Sequence, residues 1–279
     1  MPKERFHIYL ADQLARLCET RPPVLADLPA FYVGSVSPDI FYYDLPHFSL
    51  SPVGDWIHGI EISTICDWIS KEFEKGNLEA GCWGLGFAGH FLADAAWHPL
   101  IEQLSEAGLG LAQKLSTLES HRLLESEIEA FWFAKYSGTP RNNPVRTDFL
   151  GNREGLLRIA SHYASFLEFS GGPQRRVSEK RIARCFLWQN FLLRLFANKT
   201  LGRRRDLLLA FAPTRSLGVL VAPSRPMLPD LFARTLPETR NPFSDSFMTR
   251  ALESVTAEFC RIAEACTVSH AKTRSREEG

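Results

Sequence analysis

Three ionisable side chains recur at every fourth position within an apolar stretch of the sequence. His90, Asp94 and His98 lie in the run Gly-His-Phe-Leu-Ala-Asp-Ala-Ala-Trp-His that starts at Gly89. On a helix this spacing places all three side chains on one face, with a drift of about 40° at each step. The outer two would lie about 12 Å apart along the helix axis. His90 and His98 therefore cannot bind one metal ion through nitrogen bonds of about 2 Å.

Asp94 is the least ordinary of the three, because its neighbours in the sequence are phenylalanine, leucine, alanine and tryptophan. An ionised carboxylate in apolar surroundings needs a partner. A metal ion beside the two histidines is the simplest partner, and a hydrogen-bonded polar network in the helical core is the alternative. We favour the metal, and the spacing then suggests two metal centres, with Asp94 able to reach or bridge towards a neighbour.

A second pair of candidate ligands, His121 and Glu125, is also four residues apart. One nitrogen and one oxygen ligand on a single helix face suit a hard or borderline divalent ion. Glu125 stands among Glu119, Glu127 and Glu129, so a solvated acidic face is the alternative interpretation.

Further candidate ligands precede these two groups. Asp39 follows Pro38 in a segment predicted to be irregular, His58 lies near the start of a predicted helix, and His7 lies within the first one. A lone histidine on an apolar helix is usually a hydrogen-bonded core residue, which is the ordinary interpretation of His7 or His47 taken alone. Six of the eight histidines nevertheless precede Glu125.

Apolar residues repeat at helical spacing through most of the chain, which predicts an all-α, multi-helix domain with an additional helical C-terminal region. The predicted helices cover residues 4–18, 55–75, 81–100, 116–136, 154–169, 178–199 and 243–266. Proline-rich residues 21–53 and 213–242 are predicted to be irregular, and Pro99 is expected to end the third helix. Residues 271–279 are predicted to form a mobile tail.

The charges divide the chain into two unlike halves. The 32 basic and 32 acidic residues cancel overall, which argues against a highly basic nucleic-acid coat or an acidic tail. Residues 1–140 nevertheless carry a net charge of −10 and residues 141–279 a net charge of +10. We therefore predict a metal-binding helical core over residues 1–140 and a basic helical region over residues 141–270 packed on it. Bound metal dications would offset the net negative charge of residues 1–140, so the metal-loaded protein would be cationic.

Arginine dominates the basic half, with 20 arginines and 3 lysines. Clusters at Arg175-Arg176 and Arg203-Arg204-Arg205 suit bidentate contacts with phosphate. They are candidate docking points for an anionic membrane surface or for nucleic acid, although a solvated helix face is the more ordinary explanation.

Other features bear on the compartment in which the protein works. The six cysteines are scattered without a Cys-x-x-Cys pair, so we expect buried, reduced thiols rather than thiolate metal ligands. The N-terminus lacks the apolar stretch of a secretory signal, and no segment reaches the length of a membrane span. We expect a cytoplasmic protein.

Taken in order, these residues resemble the bacterial zinc-dependent phospholipase C family, which shares its helical fold with zinc nucleases that act on single-stranded nucleic acid. The resemblance covers about residues 6–129. It rests on the order of the following motifs: Gly34-x3-Pro38-Asp39, His58, Gly89-His90-x3-Asp94-x3-His98 and His121-x3-Glu125. The spacing from Asp94 to His98 is shorter than the family pattern.

The resemblance implies two zinc ions and a third that depends on the N-terminus. The first ion would be bound by Asp39, His58, His90 and Asp94, with His47 as an alternative to His58. The second ion would be bound by His98, His121 and Glu125. The third would share Asp94 with His7 and the terminal amine of Met1, or of Pro2 after methionine removal.

The resemblance further implies hydrolysis of a phosphodiester by a metal-bound hydroxide, with Asp39 as both ligand and candidate catalytic base. A phospholipase C-like lipid phosphodiesterase is the leading interpretation. A zinc nuclease and a metal-stabilised binding protein without catalysis are the alternatives.

The sequence says less about the head group of the substrate than about the reaction. Ile40 and Asp55 stand where phosphatidylcholine-cleaving relatives have aromatic residues, so no choline cage is evident. Aromatic residues of the same segment could line a lipid groove, stack on a base or simply pack the loop; they are Phe41, Tyr42, Tyr43 and Phe48.

Overall fold

Helices make up most of the molecule. The computed structural model describes residues 4–18, 27–109, 115–135, 153–172, 177–196, 199–210, 218–221, 223 and 226–277. No β-strand occurs among these residues. The all-α fold predicted from the sequence is confirmed.

The helices are numbered here in chain order. The α-helices are α1 (Glu4–Cys18), α2 (Leu28–Gly34), α3 (Ser51–His58), α4 (Ile62–Glu74), α5 (Leu78–Ala107), α6 (Thr117–Lys135), α7 (Arg153–Phe169), α8 (Glu179–Phe196), α9 (Lys199–Arg203), α10 (Arg205–Ala210), α11 (Leu228–Thr235) and α12 (Asp245–Glu277). Short 3₁₀ helices cover Pro38–Tyr43 and Glu238–Arg240. Helices α1, α6, α7 and α8 lie close to their predicted bounds.

Proline is the main source of error in the sequence prediction. Residues 21–53 and 213–242 were expected to be irregular, yet they contain α2, α11, both 3₁₀ helices and the first three residues of α3. In α2, α3, α11 and the first 3₁₀ helix, a proline occupies one of the first two helical positions. The missing N–H of proline is not needed there, and its fixed φ already suits a helix.

Pro99 does not end its helix, contrary to the prediction. Helix α5 continues through it to Ala107. The proline removes the donor that would bond to the carbonyl of Ala95. Ala95 and Pro99 are both on the exposed side of α5, where water can bond to that carbonyl.

Two other predicted bounds differ from the structure. The helix predicted over residues 55–75 is two helices, α3 and α4, because the chain is extended at Glu61 (φ −68°, ψ 140°). Helix α12 runs to Glu277, beyond the predicted end at residue 266. Its last eleven residues are polar but contain neither glycine nor proline, so no residue there stops the helix.

The chain forms two compact units. The first consists of Met1–Tyr9, Ala93–Arg141 and Phe191–Ser254, and the second of Leu10–Leu92, Asn142–Asn190 and Val255–Gly279. Each unit thus combines segments from both halves of the sequence. The division at residue 140 followed the change in charge, and it stays a prediction.

A buried charge holds α6 in the first unit. Glu127 is fully buried, forms an ion pair with buried Arg205, and accepts hydrogen bonds from the backbone N–H groups of Met227 (2.5 Å) and Leu228 (3.1 Å). Arg205 is therefore part of the interior and is not available as a docking residue. The other two arginines of that cluster are exposed, and Arg175-Arg176 lies outside the described residues.

Aromatic side chains fill the interior of the second unit. Trp83 of α5 lies against Trp68 and Tyr163, with ring centroids 5.5 and 5.1 Å away. Its indole N–H donates to the Ser37 hydroxyl at 2.9 Å, and the Tyr163 hydroxyl donates to the Ser37 carbonyl at 3.1 Å. These bonds fix the segment that leads into the 3₁₀ helix Pro38–Tyr43.

Asp44 ties the end of this 3₁₀ helix to α8. Its buried carboxylate accepts hydrogen bonds from Arg181 (2.5 Å), Arg184 (3.0 Å) and Ser49 (3.0 Å). Burial opposes ionisation of Asp44, but these bonds outweigh it and lower the pKa of the carboxyl group to about 2. The carboxylate therefore stays ionised at neutral pH.

Helices α2 and α5 meet at glycine. An added Cβ at Gly86 would lie 1.9 Å from the carbonyl oxygen of Phe31, and one at Gly34 would lie 2.0 Å from the carbonyl oxygen of Trp83. Both obstacles are backbone atoms, so no side-chain rotation can relieve the overlap. The close approach of the two helices requires glycine at both positions.

We expect Gly86→Ala to destabilise the protein by at least about 2 kcal/mol, because α2 and α5 must separate to admit the methyl group. Gly89→Ala on the same helix is the matched control: its Cβ would lie 3.6 Å from the nearest atom, in Leu14. Because alanine favours helix, the control should be neutral or up to about 1 kcal/mol more stable. Urea unfolding followed by circular dichroism measures both, and equal stability of the two variants would refute the close-approach argument.

Candidate metal centre

One group of metal-ligating side chains lies in the second unit and contains Asp39, His58 and His90. Asp39 lies in the first turn of the 3₁₀ helix, His58 ends α3, and His90 lies in α5. The Asp39 carboxylate is 3.3 Å from Nε2 of His58 and 4.0 Å from Nε2 of His90. Asp39 and His90 are buried, whereas the His58 side chain is 26% exposed. Solvent or a substrate could reach the group from the His58 side.

Both histidines of this group are held by backbone carbonyls. Nδ1 of His58 lies 2.9 Å from the carbonyl oxygen of Gly54, and Nδ1 of His90 lies 2.9 Å from that of Ser35. A carbonyl can only accept, so each Nδ1 carries the proton and each neutral ring keeps the lone pair on Nε2. This is how ligating histidines are usually oriented in metal sites.

A second group lies in the first unit, where α5, α6 and α1 supply the side chains. Nε2 of His121 is 2.6 Å from the Glu125 carboxylate, and Nε2 of His98 is 4.0 Å from it. The donor atoms of these three residues all lie within 4.8 Å of one another. Nε2 of His98 and Nε2 of His7 are each 3.3 Å from Oδ1 of Asp94.

The donor spacing fits zinc. Two ligand atoms at tetrahedral positions, each about 2 Å from an ion, are about 3.3 Å apart. The pairs His58–Asp39, His98–Asp94 and His7–Asp94 all have this separation. Imidazole nitrogen and carboxylate oxygen are also the ligand types that zinc accepts. The ligand types of both groups and the separations of these three pairs therefore suit zinc.

A cleft of the first unit opens onto the second group. Its lining combines apolar side chains with the candidate ligands and consists of Phe6, His7, Ala93, Asp94, Trp97, His98, Ile101, Glu125 and Ile128. Apolar walls lower the local dielectric constant and strengthen electrostatic interactions beside them.

The acidic residues of α6 are not a solvated face. Glu125, Glu127 and Glu129 are all buried, so that alternative interpretation is wrong for these three. The pKa of Glu129 is raised to about 8, mainly by burial and also by the nearby Glu4, although Arg5 opposes the shift. Glu129 is therefore largely protonated at neutral pH and Glu127 is paired with Arg205, whereas Glu125 lies beside the candidate ligand His121.

The structure changes the expectation about Asp39 and favours His58 over the alternative His47. Asp39 was expected in an open loop but is buried within a 3₁₀ helix. His58 lies beside Asp39, whereas His47 is exposed in the following loop. The terminal amine proposed for a third zinc lies outside the described residues.

Sequence reasoning missed the two carbonyls that orient the histidines. Gly54 stands four residues before His58, so helical spacing could have identified its carbonyl as an acceptor for Nδ1. Ser35 is 55 residues from His90, and its contribution depends on the packing of α2 against α5. No local signal in the sequence predicts that contact.

Comparison with known families supports this interpretation of the site. The sequence profile described as zinc dependent phospholipase C matches residues 6–171. The chain belongs to the zinc-dependent phospholipase C family. Membership supports a zinc-dependent hydrolase that acts on phosphodiesters, and the matched region includes all the candidate ligands. No curated protein and no solved structure matches the chain.

Two further observations concern the thiols and the helices. Among the described residues, five cysteines form no disulfide bond: Cys66, Cys82, Cys185, Cys260 and Cys266. Among the described helices, none is long and apolar enough to cross a membrane.

We expect His121→Ala to weaken zinc binding by more than about tenfold, because even the loss of an outer hydrogen-bond partner commonly costs that much. His162→Ala is the matched control, since His162 is also partly buried beside a carboxylate, Glu79 at 3.5 Å, but lies in neither group. Zinc per chain is measured by inductively coupled plasma mass spectrometry after dialysis. If both variants keep the full zinc content, the second group does not hold metal.

Proposed function

We propose that the protein is a phospholipase C-type enzyme that hydrolyses the phosphodiester of a phospholipid. In this reaction water adds across the bond between phosphorus and the glycerol oxygen. The glycerol oxygen takes a proton and leaves as diacylglycerol, while the phosphorylated head group keeps the new oxygen. The observation that carries the proposal is the presence of two groups of closely spaced histidine and carboxylate donors in a member of this family.

The proposed ligands are those expected from the sequence. They are Asp39, His58, His90, Asp94, His98, His121, Glu125 and His7. Zinc held by these residues would lower the pKa of a bound water towards neutrality and offset negative charge that develops on the phosphoryl oxygens. Two zinc ions are proposed, and a third would need the terminal amine.

Asp39 is proposed as the catalytic base as well as a ligand. Its two carboxylate oxygens face different histidines, with Oδ1 towards His58 and Oδ2 towards His90. One oxygen can thus serve as a ligand while the other orients the attacking water and accepts its proton. The carbonyls of Ser35 and Gly54 keep both rings in the orientation that this role requires.

The aromatic residues next to Asp39 divide into buried and accessible ones. Phe41 and Tyr43 are buried, so they belong to the core rather than to a groove. Tyr42 is half-buried, with its ring 5.8 Å from that of His58 and its hydroxyl donating to exposed Asp55 at 2.8 Å. Of the aromatic residues next to Asp39, Tyr42 is therefore the one that could contact a substrate at the His58 side.

We expect Asp39→Asn and His90→Ala each to lower the hydrolysis of phosphatidylcholine or phosphatidylethanolamine by at least about a thousandfold, because ligation and proton transfer are lost together. The control variant His162→Ala should keep its activity. The release of phosphorylated head group is measured, and circular dichroism checks that the helices remain.

Full activity of Asp39→Asn and His90→Ala would overturn the assignment. Release of acid-soluble nucleotides from single-stranded DNA or RNA, without lipid hydrolysis, would identify a nuclease instead. Bound zinc with neither substrate cleaved would identify a binding protein.

A further inference from the structure

The exposed face of α8 is unusual in composition. At 100° per residue, six residues fall within one stripe about 100° wide; they are Lys180, Arg184, Leu187, Phe191, Arg194 and Leu195. All six are exposed, and Leu187, Phe191 and Leu195 are 48, 53 and 39% exposed. We call this stripe the α8 face.

The opposite side of α8 is an ordinary buried surface. Ile182, Phe186 and Gln189 are all buried, and the Gln189 side chain donates to the carbonyl of Val36 at 3.0 Å. The helix therefore already has a packed side, and its exposed apolar residues are additional to the core. Large apolar side chains concentrated on an exposed face usually mark an interaction surface.

The charges on the α8 face indicate which kind of partner it binds. The stripe holds three basic residues and no acidic one. Arg184 already donates to Asp44, so Lys180 and Arg194 are the basic residues of the stripe proposed to contact phosphate. Two copies of the chain paired through this face about a two-fold axis would bring like charges together. A basic and apolar helix face instead matches a bilayer that contains anionic phospholipid, where apolar side chains enter the acyl region and basic ones contact phosphate.

An exposed phenylalanine stands in a loop that is bonded to α8. Phe48 is 55% exposed and has a left-handed backbone, with φ of 50°. This conformation is unfavourable for a phenylalanine. The next residue, Ser49, accepts a hydrogen bond from Arg181 of α8, so the loop that presents Phe48 is fixed to this helix.

We propose that the α8 face, together with Phe48, docks the protein on an anionic phospholipid bilayer. The choice of partner rests on the proposed function, because the bilayer contains the substrate of a phospholipase. Helix α8 also holds the segment that carries Asp39, through Gln189 on Val36 and Arg181 on Asp44. Docking through α8 therefore holds the Asp39 segment at the membrane.

The test compares binding to vesicles of phosphatidylcholine alone with binding to vesicles that contain about one quarter phosphatidylserine. We expect the wild-type chain to prefer the anionic vesicles. The triple variant Leu187→Ser, Phe191→Ser, Leu195→Ser should bind them at least about tenfold more weakly. The double variant Lys180→Glu, Arg194→Glu should lose the preference for anionic vesicles.

Matched controls are Leu118→Ser and Leu207→Ser, since these leucines are 57 and 70% exposed but lie on α6 and α10. Both controls should bind vesicles as the wild type does. Vesicle binding of the triple variant equal to that of the wild type would overturn the proposal. A dimeric wild type that becomes monomeric in the triple variant, with unchanged vesicle binding, would also overturn it and identify a second copy as the partner.

Hydrolysis of a soluble, short-chain phospholipid separates this proposal from the proposed function. We expect the triple variant to cleave the soluble substrate within about twofold of the wild-type rate. The three substitutions remove contacts with the bilayer, which the soluble substrate does not need. A wild-type chain that cleaves no soluble phospholipid would refute the proposed function, and the vesicle assay would still decide whether the α8 face binds membranes.

Discussion

The proposed site depends on one uninterrupted helix. Helix α5 carries His90, Asp94 and His98 at a spacing of four residues, and a change in its geometry would move all three at once. A helix fixes the positions of its side chains more accurately than a loop does, which suits ligands that must be held to within a fraction of an ångström. The glycines at Gly34 and Gly86 let α2 approach closely enough for the Ser35 carbonyl to bond to His90. Backbone packing and ligand orientation are thus parts of one arrangement.

The sequence predicted those parts of the site that depend on local geometry. The four-residue spacing in α5 and α6 placed His90, Asp94 and His98, and then His121 and Glu125, correctly on helix faces. The spacing also predicted that His90 and His98 are too far apart to bind one ion. In the structure these two residues lie in different donor groups. The contacts that the sequence could not predict join residues far apart in the chain.

The remaining errors have physical causes. Proline was taken as a sign of irregular structure, although at the first positions of a helix it costs nothing, and at Pro99 the exposed side of α5 tolerates it. A solvated acidic face was the alternative interpretation of α6, but α6 buries Glu125, Glu127 and Glu129. A buried carboxylate is stable only with a partner, and for Glu127 that partner is Arg205, 78 residues later in the chain. The partners of buried charges are determined by tertiary packing, which a single sequence does not reveal.

The central claim is that the two donor groups bind zinc. The most direct measurement is an anomalous difference map from crystals of the protein grown with zinc, collected just above the zinc absorption edge. Our account predicts one peak within bonding distance of Asp39, His58 and His90, and another within bonding distance of His98, His121 and Glu125. A map without a peak at either group, in a protein saturated with zinc, would contradict it.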